Sequence, residues 1–269
     1  MSPSSLAARF RRRHHEPGTL VLPNAWDACS AALMQGLGAQ AIATTSAGVA
    51  WALGYPDGDA LPIELHVAAI RQIVRVVSCP VSADAEGGYS DDPREAGANV
   101  ARLIDAGAVG VNLEDGRALP ELLCRKIEAV KSAAAHAGVD VFVNARTDVY
   151  LKNLAPGREV DEVLRRARSY ADAGADGLFA PAVVSEVDIA ALVAGQALPL
   201  NVMARPGLPA LAVLSNLGVR RLSAGSAVAQ KMWAVTQRVG ADFLRDGSTE
   251  ALFADSASFA QLNVMFSRG

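Results

Sequence analysis

The chain has 269 residues, of which 51% are hydrophobic and 20% charged, with a formal net charge of −3. That excludes a disordered chain, which combines low hydrophobicity with high net charge, and it offers no basic excess for a nucleic-acid partner. Three cysteines without a CxxC pair exclude a disulfide framework and fit a reducing, cytoplasmic location.

Residues 1–18, MSPSSLAARFRRRHHEPG, contain Arg11–Arg13 but no apolar run behind them. A secretory leader is therefore not expected, and the arginines read as the solvated face of a short first helix. No apolar run reaches the roughly 20 residues that cross a bilayer, so no membrane partner is expected. Short apolar runs then alternate with helical patterns. The runs are TLVLPN (19–24), AIATTS (41–46), PVSADA (80–85), VGVNLED (109–115), VFVNART (141–147), GLFAPA (177–182), LPLNVM (198–203) and RRLSAG (220–225). Most are too continuously apolar for a half-exposed sheet and suit parallel strands buried on both faces.

Helical periods are predicted over 93–106, 121–137 and 159–173, the first with Asp92 as N-cap and Pro93 at the first helical position. A loose repeat recurs at the helix-to-strand joints: DAGAVGVNLED, HAGVDVFVNAR, DAGADGLFAPA and, more weakly, NLGVRRLSAG. Gly107, Gly138, Gly174 and Gly218 stand where each helix ends, and glycine enters the left-handed conformation of a C-cap without steric cost. Eight strands with intervening helices predict an α/β fold, a (β/α)8 TIM barrel. The competing doubly wound sheet lacks a GxGxxG loop after its first strand. No linker divides the chain, so residues 1–269 are read as one domain. The barrel occupies about 19–226, and a helical segment over 227–269 packs on its own barrel or is exchanged with a neighbouring subunit.

A barrel of this kind carries its chemistry at the C-terminal ends of its strands. There the sequence places Ser46 with Ala47–Gly48, Asp84 and Glu86, Asn112, Glu114 and Asp115, Asn144, Arg146 and Asp148, Asn201, and Ser223–Ser226. Carboxylates without histidine or cysteine form a hard oxygen site suited to Mg²⁺ or Mn²⁺ rather than zinc. A lone arginine can clamp a substrate carboxylate, and the Ser46–Ala47–Gly48 turn offers backbone N–H groups to an anionic oxygen. Taken singly, the acids also read as helix caps or loop salt bridges, and Arg146 as their neutralising partner.

The segments LVLPNAWDACSA (20–31), TTSAGVAWALGYPDG (44–58), SADAEGGY (82–89), GVNLEDG (110–116), VNARTD (143–148) and PLNVM (199–203) together resemble the isocitrate lyase/phosphoenolpyruvate mutase superfamily. The resemblance implies a barrel whose last helix is swapped between subunits, in a homotetramer built as a dimer of helix-swapped dimers. It implies Mg²⁺ and chemistry at C3 of a 2-oxo or related acid through a metal-stabilised enolate. It assigns Asp84, Glu86, Glu114 and Asp57 to the metal. It assigns Ser46, Ala47, Gly48, Arg146 and Asn201 to the substrate, with Asp57, Arg146 and Ser46 as catalytic groups.

The sequence also departs from the family. Where isocitrate-type lyases carry a Lys-Lys/Arg-Cys-Gly-His lid, this chain reads EDGRALPELLCRKIEAV (114–130), and Cys124 falls inside a helical pattern. The lid lysine of phosphonomutases is absent as well, with Pro120 near its place, while Arg117 is a candidate cation. The expected function is thus a short-lid, Mg²⁺-dependent lyase of a small 2-oxo or 2-hydroxy dicarboxylate, with oxaloacetate decarboxylation the least demanding version. The alternatives are a phosphonopyruvate hydrolase or phosphonomutase, and a 2-oxo acid binding protein with reduced catalysis.

Overall fold

The computed structural model describes residues 2–267; positions 1, 268 and 269 of the expected domain lie outside the described residues. Nine parallel strands form one sheet: β1 (Leu20–Leu22), β2 (Asn24–Ala25), β3 (Ile42–Thr44), β4 (Val81–Asp84), β5 (Gly110–Glu114), β6 (Phe142–Arg146), β7 (Gly177–Phe179), β8 (Leu200–Met203) and β9 (Arg221–Ser223). Their order is β1-β9-β8-β7-β6-β5-β4-β3-β2. The two ends of that order, β1 and β2, are one run of chain interrupted at Pro23, which has no N–H to give a ladder. The nine strands are therefore the eight staves of a (β/α)8 barrel.

The helices α1 (Pro3–His15), α2 (Ala28–Gly36), α3 (Ser46–Ala52), α4 (Ile63–Val76), α5 (Pro93–Asp105), α6 (Pro120–His136), α7 (Glu159–Asp172), α8 (Glu186–Ala194) and α9 (Leu211–Leu217) precede, connect or cover the staves. The three helices predicted from periodicity are α5, α6 and α7, to within a residue of the expected ends. The Asp92 side chain accepts from Arg94 N–H ahead of Pro93, as its position at the cap demands. Gly107, Gly138, Gly174 and Gly218 all take positive φ, between 68° and 106°. Val100, Leu103, Leu123, Ile127, Val130, Val163 and Tyr170 pack from this helical layer against Val111, Val143 and Leu178 of the sheet.

Helix α1 closes the N-terminal end of the barrel. Phe10 is fully buried with Leu20, Leu22, Val109 and Phe142, and only glycine at 110 admits it: a Cβ there would lie 2.5 Å from the Phe10 ring. The expected solvated face of α1 needs correcting at Arg11. Its guanidinium bonds Asp140 at 2.7 Å and Asp176 at 2.6 Å, tying the helix to two loops, whereas Arg12 and Arg13 pair with Glu16 nearby.

The C-terminal segment forms α10 (Ala227–Asp246), α11 (Glu250–Phe253) and α12 (Phe259–Phe266). Among their described residues only Ala229 is buried. No helix is long and apolar enough to cross a membrane among the described residues.

His14 stacks on Phe142 at 4.0 Å beneath the barrel, and its Nδ1–H donates to the Phe10 carbonyl. Burial, with Arg221 close by, pushes its pKa from 6.5 down to about 3. The unfolded chain therefore binds the proton more tightly, and stability falls as pH drops from 6.5 toward 3. At pH 5 the His14 contribution to that loss is about 2 kcal/mol relative to neutral pH. Urea unfolding at pH 7 and pH 5 should show a smaller acid loss for His14→Gln than for the wild type.

Candidate active site

The alternation of parallel strands turns every second side chain into the barrel. In this chain the inward positions near the C-terminal ends include Asp84 on β4, Asn112 and Glu114 on β5, Asn144 and Arg146 on β6, and Ser223 on β9. Register pairs Asp84 with Asn112, Asn112 with Asn144, and Glu114 with Arg146, so these polar groups form a band around the mouth.

A cavity of about 170 Å³ opens there, lined by Asp84, Asp57, Arg146 and Asn112 with Ser46, Ala47, Asn24, Phe179, Met203 and others. Asp84 is held from both sides. Its Oδ2 accepts from Ser46 N–H at 3.2 Å, and its Oδ1 accepts from Asn112 Nδ2 at 3.4 Å. Arg146 is gripped by two carboxylates. Nη1 reaches Glu114 at 2.7 Å, while Nε and Nη2 reach Asp148 at 2.7 and 3.2 Å. Two of its five N–H groups donate to Asp148, and the Nη1 end is in ion contact with Glu114. Burial opposes its charge, yet Glu114 and Asp148 hold its pKa above the ordinary arginine value.

Asp148 is held in turn by Lys152 at 2.8 Å, and its N–H donates to Asp115. Asp115 accepts from Arg166 at 2.7 Å and from the Tyr170 hydroxyl at 2.6 Å. The bland reading of these two acids as loop anchors is thus correct: they support Arg146 and do not line the cavity with Asp84.

The set expected from the sequence is brought together only in part. Asp84, Asp57, Arg146, Ser46 and Ala47 meet at one cavity. Glu86 and Glu114 line a neighbouring cavity of about 280 Å³ with Asp59, Arg117, Lys126 and Lys152. Glu86 accepts from the backbone N–H groups of Gly58 and Asp59 and from the Tyr89 hydroxyl, so it clamps the loop that carries Asp57. Burial, reinforced by Asp59, Asp57 and Asp84, pushes its pKa up to about 7. Burial likewise pushes Glu114 up to about 8, with Asp148 and Asp84 opposing the pull of Arg146.

Two of the expected binding groups already have partners within the chain. The Ser46 N–H donates to Asp84, and Gly48 N–H donates to the Thr45 hydroxyl, so the anion-binding turn retains only the Ala47 N–H of its three donors. Asn201 is buried on the inward face, in register with Phe179 and Arg221, with its amide beside the Ser223 hydroxyl that lines the cavity. Asn24 also stands at the mouth. Its amide donates to the Thr44 carbonyl, and its oxygen accepts from Ala224 and Gly225, fastening the loop after β9. The LVLPNAW segment contains Asn24, but nothing in its immediate sequence separates a mouth asparagine from a turn residue. Cys124 lies on α6 with its thiol toward the Ser169 carbonyl, apart from the cavity lining.

A model of the family described as phosphoenolpyruvate phosphomutase matches residues 10–244. The uncharacterized protein Rv1998c of Mycobacterium tuberculosis is 39% identical over 221 residues, 81% of either chain. A crystal structure from Burkholderia cenocepacia J2315, named a "putative phosphonomutase", is 40% identical, with a TM-score of 0.83 over 89% of this chain and 100% of that one. An oxaloacetate decarboxylase of Ectopseudomonas mendocina is 33% identical over 182 residues, 65% of this chain and 62% of that protein.

Removing the charge of Asp148 would leave Arg146 half-held in a buried setting. Asp148→Asn is expected to cost about 3 kcal/mol of stability, read as a lower urea midpoint. An unchanged midpoint would mean that Glu114 alone suffices to hold the guanidinium.

Proposed function

The chain belongs to the phosphoenolpyruvate mutase family of the isocitrate lyase superfamily, and on that premise we propose that it is a Mg²⁺-dependent carbon–carbon lyase. Its substrate class is a small 2-oxo or 2-hydroxy dicarboxylate cleaved at C3, with oxaloacetate decarboxylation the reaction its residues support most simply. The observation that carries this reading is the convergence of Asp84, Asp57 and Arg146 on one cavity of about 170 Å³. That is below the roughly 300 Å³ at which drug-sized pockets begin, so it suits an acid of a few carbons.

The donor set fits Mg²⁺. Among the described residues no group of three or more His, Cys, Asp or Glu side chains is arranged to hold a metal ion by itself. Mg²⁺ needs none, since it keeps several waters and takes one or two carboxylates. Asp84 and Asp57 are the residues that would hold it, and Glu86 and Glu114 in the neighbouring cavity would add to its acidic surroundings. A bound Mg²⁺ supplies Lewis-acid stabilisation for negative charge developing on the substrate's C2 oxygen.

The chain's own groups do the rest. The N–H groups of Arg146 not given to Asp148 hold a substrate carboxylate, and Glu114 and Asp148 fix the direction of the guanidinium. Phe179, which lies under the guanidinium at 5.8 Å, forms the dry wall of the cavity with Met203 and Leu151. Loss of CO₂ leaves its electron pair in the C2–C3 enolate, and water supplies the proton that C3 then takes. This reaction asks for no lid acid. Residues 115–119 between β5 and α6 are a short connection without cysteine, and Cys124 faces elsewhere.

The C-terminal helices support exchange between subunits in a homotetramer. Leu244 is 86% exposed and Phe259 83%, and Phe253 is exposed as well. Trp26, Leu33, Met34 and Leu37 meanwhile line an apolar groove of about 520 Å³ with Val228 and Met232. Analytical ultracentrifugation should find an oligomer, and Leu244→Asp with Phe259→Asp should dissociate it; a monomeric wild type would contradict the exchange.

The direct assay is a panel of oxaloacetate, isocitrate, methylisocitrate and phosphonopyruvate with Mg²⁺ and with EDTA. Pyruvate is expected from oxaloacetate above the metal-only background, with Asp84→Asn and Arg146→Gln each losing on the order of a hundredfold or more in kcat/KM. Phosphate or phosphoenolpyruvate from phosphonopyruvate would assign the chain to carbon–phosphorus chemistry instead.

A further inference from the structure

Arg221 is the largest of the side chains shut off from solvent, at 0% exposure. It projects from β9 into the barrel below the mouth. No carboxylate lies within ion-pair distance of it among the described residues, and its Nε and Nη1 have no hydrogen-bond partner there. Its Nη2 donates to Asn112 Oδ1 at 3.2 Å. The same oxygen accepts from Asn144 Nδ2 at 2.8 Å. Two donors on one atom fix it as the amide oxygen, so the Asn112 NH₂ must face the other way, toward Asp84 Oδ1 at 3.4 Å.

Burial lowers the Arg221 pKa to about 9, and Asp84 is the group that opposes the fall, so the guanidinium stays charged at neutral pH. A buried charge without an adjacent counter-ion costs stability, and an apolar residue of similar size would fill the space. A barrel interior is ordinarily filled by branched apolar side chains. The charge is thus retained at a position where packing alone does not ask for it.

We propose that Arg221 is a positioning residue for the site: through Asn112 it orients the Asp84 carboxylate from below, and it is the counter-charge that balances Asp84 inside the barrel. The inference rests on the reading of Asp84 as the central acid of the mouth. Arg146 holds the substrate side of the charge balance and Arg221 the floor, so neither replaces the other. The sequence offers little to find it, because RRLSAG presents two adjacent arginines and only the inward register of β9 separates them. Arg220 instead donates to the Glu16 carbonyl outside the barrel.

The test is a double-variant cycle on the full-length protein in EDTA, read as the urea midpoint of Arg221→Met, Asp84→Asn and the pair. Asp84→Asn is expected to shift the midpoint less favourably when Arg221 is present than in the Arg221→Met background, because it strands the guanidinium. Additive shifts would overturn the proposal. Should Arg221→Met fail to fold, Asn112→Ala cuts the same bridge, and its effect must then be non-additive with Asp84→Asn. With a substrate in hand, Arg221→Met is expected to lower kcat on the order of tenfold or more with KM nearly unchanged, and Arg221→Lys to recover most of it. Full turnover in Arg221→Met would also overturn the proposal. The cycle needs no turnover, so a chain inactive on every acid would sink the lyase reading while the cycle still decides this one.

Discussion

A parallel strand shows its side chains to opposite faces in turn, and a barrel makes one of those faces an interior with no escape to solvent. A polar residue at an inward position therefore has only the other strands of the barrel to supply its partner. Here Asp84, Asn112, Asn144 and Arg146 are answered from adjacent strands, and Arg221 is answered at Nη2 alone, from across the barrel. The stagger of β4, β5 and β6 sets which residue answers which. The fold and the chemistry share this one constraint: a slip of one residue in β4 would turn Asp84 outward and leave Asn112 and Ser46 without their acceptor.

The site is built by confining negative charge. Asp84, Asp57, Glu86, Glu114 and Asp148 crowd the mouth, and burial raises the pKa of Glu86 and Glu114 still further. Arg146 offsets part of that charge and is itself immobilised by it. Behind it, Asp148, Asp115, Arg166 and Tyr170 form a relay of short bonds that reaches α7, so the direction of one guanidinium is set by the packing of a helix. A crowd of acids with a fixed arginine is what a divalent cation and an anionic acid would together complete.

Much of the architecture was legible in the chain. Continuous apolar runs located all eight staves, and the Asp92–Pro93 cap and the repeated glycines located helix ends, because these depend on local sterics alone. The site was legible at strand ends where side chains face the mouth, as at Asp84 and Arg146. It was not legible where depth or direction decides. Asn201 and Asn24 are both strand asparagines, and only the closure of the barrel puts the second in the cavity lining and the first beside Ser223. Glu86 has positive φ, which turns its carboxylate onto the Gly58–Asp59 backbone, and no spacing rule reports that. Arg11 leaves the solvated face of its helix because Asp140 and Asp176 come from distant loops.

The claim at the centre of this account is that Asp84 and Arg146 collect a divalent cation and a small 2-oxo acid in one cavity. Oxalate, a planar dianion with the shape of the enolate of a 2-oxo acid, tests it most directly by calorimetry. With Mg²⁺ present the wild type should bind oxalate, and Asp84→Asn and Arg146→Gln should each weaken that binding on the order of a hundredfold. Equal oxalate affinity in EDTA, or binding untouched by Asp84→Asn, would contradict the account.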